Sequence, residues 1–175
     1  MNTNSSVFRH CTKCGSQRLK LANRKQLLCL DCGFEYFHNV AAAVAGLITD
    51  DKGRLLVTVR DREPARGTWD LPGGFVDPDE SAEHALIREI REELGLQVRS
   101  LQYFCSSANI YPYKNVTYHT LDLAYICNTA DTMTAAPVEE VADVLFVPPE
   151  EIAPARFGLD SIARIVAKYL KEEEQ

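Results

Sequence analysis

The segment GFVDPDESAEHALIREIREELGL, residues 74–96, constrains this chain more than any other. Ser81 suits an N-cap, where its hydroxyl can accept from a first-turn amide that has no helical partner. Gly95 suits the left-handed residue that ends a helix. At ~100° per residue, Leu86, Ile87, Ile90 and Leu94 share one arc, and Glu89, Glu92 and Glu93 occupy the adjacent one. Ala82 and Ala85 lie on the carboxylate side and leave room above it. One stripe can therefore pack into a core while its neighbour presents three carboxylates together. Such a group repels itself, and a merely solvated acidic face has no need of it. Hard divalent cations do need it. Magnesium takes oxygen ligands and keeps several waters, and bridging ions neutralise phosphate oxygens and acidify bound water. The lead-in Leu71-Pro72-Gly73-Gly74 tips the balance toward a metal site, because glycine lets the backbone approach a ligand and offer it a carbonyl.

Six cysteines divide into two groups. Four form Cys11-x2-Cys14 and Cys29-x2-Cys32, and Cys105 and Cys127 stand alone in apolar runs, where we expect buried strand residues. Two CxxC turns facing each other make the tetrahedral sulfur cage that Zn²⁺ prefers. A short hairpin between the pairs would bring the turns together. With all four positions filled by protein, the zinc is structural. A segment this small cannot build a sufficient core, so metal binding would supply much of its folding free energy. His10 and His38 flank the module and are not needed as ligands.

The chain has 175 residues and a net charge of −6, the balance of a basic head and an acidic body. That sum argues against a whole-chain nucleic-acid coat. No apolar run is long enough to span a bilayer, and Met1–Ser6 lacks the layout of a signal peptide. The expected location is cytoplasmic. The division predicted is 1–38 for a zinc ribbon and 39–175 for a larger domain. In that domain Val40–Ile48 and Leu55–Arg60 read as a strand hairpin around an Asp50-Asp51-Lys52-Gly53 turn. Val98–Cys105, Thr117–Cys127 and Val141–Val147 read as further strands, with a loop through Asn109, Pro112 and Asn115. From Asp160 the apolar positions follow a helical period, and Glu172–Glu174 suits a frayed end.

The segment resembles the Nudix box at every fixed position. Gly74 is followed after five residues by Glu80, and after seven more by Arg88-Glu89-Ile90; Glu92-Glu93 and Gly95-Leu96 complete it. Seven identities at set spacing arise by chance at about 10⁻⁸ per position. The preceding Trp69-Asp70-Leu71-Pro72-Gly73 is similar to the usual approach to that box. The resemblance implies an α/β fold, an α/β/α sandwich with a mixed sheet, and Mg²⁺- or Mn²⁺-dependent hydrolysis of a nucleoside diphosphate linked to another moiety. It assigns Glu89, Glu93 and the Gly73 carbonyl as metal ligands, and Glu92 as a ligand or partner of a further ion. It gives Arg88 and Glu80 the role of holding loop against helix. A general base is expected among the box glutamates or on a later loop, where Glu139 and Glu140 are candidates.

A zinc ribbon before this box is similar to the NADH pyrophosphatases, as is Ser161-Ile162-Ala163-Arg164. Their SQPWPFP-type motif is replaced here by Ser106-Ser107-Ala108-Asn109-Ile110-Tyr111-Pro112-Tyr113. The substrate classes left open are NAD(H), and ADP-ribose or another nucleotide sugar. Tyr111, Tyr113 and Tyr118 could stack on a base, and Arg66 or Arg60 could contact phosphate, with surface charge the expected role of both. Trp69 reads as a core anchor. The competing class is a nucleic-acid-binding or sensor protein that keeps a Nudix-like ligand domain; the intact glutamate set argues against it. We expect the ribbon to mediate formation of a homodimer.

Overall fold

The computed structural model describes residues 8–114, 116–138 and 140–173. Three short strands come first: β1 (Leu19–Asn23), β2 (Gln26–Cys29) and β3 (Glu35–Phe37), paired antiparallel in that order. The β1–β2 hairpin carries the two CxxC turns to one end. Gly15 and Gly33 each turn the chain back at positive φ, donating to the Cys11 and Cys29 carbonyls.

The larger part comprises β4 (Ala41–Ile48), β5 (Leu55–Arg60), β6 (Trp69–Asp70), α1 (Ala82–Leu94), β7 (Gln97–Tyr113), β8 (Val116–Ala130), β9 (Val141–Val147) and α2 (Asp160–Glu173). One sheet runs β4-β8-β7, with β4 parallel to β8 and β7 antiparallel to it; the other runs β6-β5-β9, all antiparallel. Strand periodicity builds the layers. Ala45, Leu47, Leu55 and Val57 point into a core closed by Ile162, Ile165 and Val166 of α2. Val44, Ile48 and Leu56 point the opposite way, toward Leu86, Ile90 and Leu94 of α1. The strands thus lie between two helices, as the α/β/α expectation has it. Trp69 is buried in the α2-side core, and Cys127 is buried against α1.

Two local expectations are corrected. β4 and β5 do not form a hairpin; only Thr49 and Leu55 bridge them, and β4 pairs along its whole length with β8, from Ala41–Thr120 to Ile48–Cys127. The segment through Asn109 and Pro112 is not a loop. It continues β7, which pairs with β8 out to Tyr113–Val116. Pro112 is tolerated because β7 is an edge strand and need not donate outward. Asn115 lies outside the described residues. The acidic C-terminal run is helical through Glu173, with Glu172 paired to Lys168; Glu174 is outside the described residues.

Candidate active site and metal centres

α1 has the predicted ends. The Ser81 hydroxyl accepts from the His84 amide, and Gly95 donates to the Arg91 carbonyl at φ 68°. The glycine lead-in lies along β4. The Gly46 amide donates to the Pro72 carbonyl at 2.8 Å, the Val44 amide to the Gly74 carbonyl at 2.9 Å, and the Val76 amide to the Ala42 carbonyl at 3.0 Å. Among the described residues no hydrogen bond is made to the Gly73 carbonyl. At Gly73, φ is 147° and a Cβ would sit 2.0 Å from the Val44 carbonyl oxygen; at Gly74 it would sit 2.4 Å from Glu89 Oε1. The loop therefore approaches strand and carboxylates more closely than any side chain would allow.

Arg88 ties this loop to the helix. Its guanidinium donates to both Glu80 carboxylate oxygens, at 3.1 and 3.0 Å, and to the Phe75 carbonyl at 3.1 Å. The same group donates to Glu89 at 2.8 Å and to Glu92 at 3.2 Å. The Arg88 bond holds the Glu80 carboxyl below its ordinary value. Glu93 is different. It is 8% exposed, its one hydrogen-bond donor among the described residues is the Gly73 amide at 3.0 Å, and burial pushes its carboxyl up to about 8, with the Glu89 and Asp70 charges adding to the rise. Burial also raises Glu89. Glu89 and Glu93 are thus desolvated and repelled by neighbouring carboxylates, beside a carbonyl that accepts no hydrogen bond among the described residues. Glu89, Glu92, Glu93 and the Gly73 carbonyl supply the hard oxygen donors that Mg²⁺ or Mn²⁺ requires, so the donor set fits such an ion.

The ribbon cysteines form a second cluster. All four sulfurs lie within 4.8 Å of one another, with Cys11–Cys32 at 3.7 Å and Cys14–Cys29 at 3.6 Å. A tetrahedron with Zn–S bonds of about 2.3 Å has edges of about 3.8 Å. Backbone amides of Cys32 and Asp31 bring the Cys29 thiol down to about 6, whereas hydrogen bonds from the other thiols push Cys14 up to about 12. The cage fits zinc. His10 is held by Gln17 and His38 packs near Phe8 and His119, so neither belongs to it.

A cleft opens from the glutamates. Arg62 and Glu140, joined as an ion pair, line the groove over Glu89 and Glu93; Arg62 also lines the recess bounded by Asp70, Gly74, Phe75, Asn109, Tyr111 and Asp122. Tyr111 and Phe75 face each other edge to face at 5.7 Å. Tyr113 is exposed and capped by Lys114, Tyr118 is exposed, and Arg66 pairs with Asp61 away from this recess. The surface role expected for Arg60 is corrected: its side chain is nine-tenths buried, donating to Asp70 and to the Pro64 carbonyl. Sequence reasoning missed Arg62, Asp70, Asn109 and Asp122. Among the base candidates, Glu140 faces the groove; Glu139 lies outside the described residues.

A family model, the NUDIX domain, matches residues 39–169. The chain belongs to the Nudix family. A curated Nudix relative, the NAD-capped RNA hydrolase NudC of Stutzerimonas stutzeri (strain A1501), is 29% identical over 166 residues, covering 94% of this chain and 57% of that protein. The chain thus spans little more than half the length of the curated relatives it matches. Among solved structures, a NUDIX hydrolase from Nitrosomonas europaea superposes with a TM-score of 0.68 at 19% identity, covering 95% of this chain and 92% of the other, and it shares the fold. The MutT NUDIX hydrolase of Burkholderia pseudomallei is 27% identical with a TM-score of 0.58, covering 66% and 88%. Among the described residues no helix is long and apolar enough to cross a membrane.

Proposed function

We propose that the chain is a Mg²⁺- or Mn²⁺-dependent pyrophosphohydrolase. Its substrate is a nucleoside diphosphate linked to another moiety, of the ADP-ribose, nucleotide-sugar or NAD(H) type, and a nucleoside monophosphate is released. The observation that carries this reading is the buried Glu93, held by the Gly73 amide beside Glu89 and Glu92 in a groove that shares Arg62 and Phe75 with the neighbouring recess. Glu89, Glu92, Glu93 and the Gly73 carbonyl would hold a divalent ion there, which would supply neutralisation of phosphate charge and acidification of water. The chain's own residues do the rest. Arg88 keeps Glu80, Glu89 and Glu92 in one fixed array. The two glycines let the loop lie directly against Val44 of β4 and the Glu89 carboxylate. Arg62 adds a cation where the diphosphate would cross from glutamates to recess, and Glu140 beside it is placed to take a proton. The Phe75–Tyr111 pair offers an aromatic wall to a base.

The ribbon cysteines would hold one structural Zn²⁺. We also assign a homodimer. β7 is a long edge strand with Arg99 as its one charge, and Ile110 and Leu121 leave apolar surface exposed on its sheet. Light scattering of the purified chain tests this; a monomer at micromolar concentration refutes it. The test of activity is a panel of nucleotides with Mg²⁺, products separated by chromatography, and turnover in ¹⁸O-water. Label is expected on a phosphate product. Label on the ribose C1 hydroxyl would mean glycosidic cleavage and would overturn the reading.

A further inference from the structure

The floor of the recess is built from polar groups that the fold itself does not use up. The β7–β8 register sets Asn109 opposite Thr120 and Ser107 opposite Asp122, which places Asn109, Thr120 and Asp122 on the cleft face. All three are buried. Asp122 accepts from the Thr120 hydroxyl at 2.7 Å on one oxygen and from the Ser161 hydroxyl on the other. A carboxylate has about four acceptor sites, so it keeps capacity toward the recess. Among the described residues the Asn109 carboxamide has no side-chain hydrogen bond.

Arg60 supplies the opposite polarity. Its Nε donates to the Pro64 carbonyl at 2.8 Å and its Nη1 to Asp70, whereas Nη2 is buried with no partner. Its side chain is 10% exposed and lines the recess. A buried donor without an acceptor is unfavourable, and here the missing acceptor would come from whatever fills the cleft.

Resting on the pyrophosphohydrolase reading, we propose that this floor selects the base of the substrate. The base carries an exocyclic amine beside ring acceptors, as adenine does. Asp122 accepts from the amine, Arg60 Nη2 donates to a ring nitrogen, and Asn109 pairs with the remaining edge. A 6-oxo purine is rejected because its carbonyl would face a buried carboxylate, leaving both without a proton between them. A site built to hydrogen-bond a group discriminates strongly against the analogue that lacks it.

The test is isothermal titration of the full chain with AMP and with IMP, which differ in this edge alone. AMP should bind at least about tenfold more tightly. In Asp122→Asn the carboxamide can present either its oxygen or its amide group, so the preference should fall to within about threefold. Arg60→Lys keeps a cation against Asp70 but lacks the forked donor, and should weaken AMP at least about fivefold. Equal affinity for AMP and IMP in the unmodified protein overturns the proposal, and this comparison needs no variant to fold. An undiminished preference in a folded Asp122→Asn protein overturns it too. Turnover with Mg²⁺ is followed separately: absence of diphosphate hydrolysis would remove the enzymatic reading, while the AMP to IMP ratio would still decide the base assignment.

Discussion

The four thiols of the ribbon and the three carboxylates of α1 are both crowded sets of like groups, built in opposite ways. The thiols close on one another from two turns, with every corner of the tetrahedron taken. That end is held by those turns, the Arg18–Asp31 and Gln26–Glu35 contacts, the Phe8–Tyr36 ring pair and three short strands. The carboxylates are instead fastened to a scaffold that folds on its own terms, with a helix capped at both ends and an apolar stripe sealed in the core. One side of their array is left open. The contrast teaches how a site's purpose appears in its enclosure. A cage that completes its own coordination shell stabilises, and an array that stops short leaves positions for water and substrate.

The largest effect expected from breaking this contrast is at Glu93. Glu93→Gln preserves shape and removes the charge, so turnover should fall by at least about 10³-fold. The metal-free Tm should hold or rise, because a carboxyl raised to about 8 must take up a proton to be buried near neutral pH, a cost that Gln does not bear. Near-normal turnover in a folded variant would unseat the assignment.

At the other cluster, Cys29→Ser should reduce bound zinc from about one ion per chain to almost none. Hydrogen exchange should then lose protection in β1–β3 and keep it in β4 and β8. Equal loss in both regions would show that the two are one cooperative unit.

The glycine pair gives a finer comparison. Gly73→Ala drives a methyl into strand backbone that cannot move, at 2.0 Å from Val44 O, and should cost about 3 kcal/mol in urea melts. Gly74→Ala meets the end of a flexible carboxylate. It should cost less than about 1 kcal/mol but lower turnover about tenfold by displacing Glu89.

The smallest effect is at Asp50, a buried carboxylate built the opposite way to Glu93. Burial works against its charge, but the Arg54 amide and guanidinium and the Lys52 amide outweigh burial and hold its carboxyl below the usual range. A depressed folded value means stability that is present above the unfolded value of about 3.9 and lost as pH falls through the folded one. Asp50→Asn should therefore cost about 1 kcal/mol at pH 7. The gap between variant and parent should shrink below about pH 4.

What was legible in the chain was what is local. Ser81, Gly95 and the CxxC spacings each act over a turn or two and appear as expected; the helical stripe is corrected at two positions, since Ile87 is exposed and Ala85, expected beside the carboxylates, is buried in the core. What was illegible needs partners far apart. A turn signal at Asp50–Gly53 cannot show that β4 will prefer β8, and Asn109 and Pro112 look like loop residues until an edge strand and a cleft give each a reason to be there. The recess shows the same limit. Arg60, Asp70, Asn109, Asp122 and Ser161 come from four strands and a helix, and no spacing links them. Their signal was weaker in kind: charged or amide residues inside otherwise apolar strands, which a folded chain keeps only when something answers them.

The parallel pairing of β4 with β8 also sets an order in time. Ala41 finds its neighbour at Thr120, so the central sheet cannot zip until most of the chain has left the ribosome. The ribbon needs only residues 11–32 to close its cage. Closing the cage can thus fix this earlier-made segment while β4 waits, its buried face unpaired, for a partner not yet synthesised.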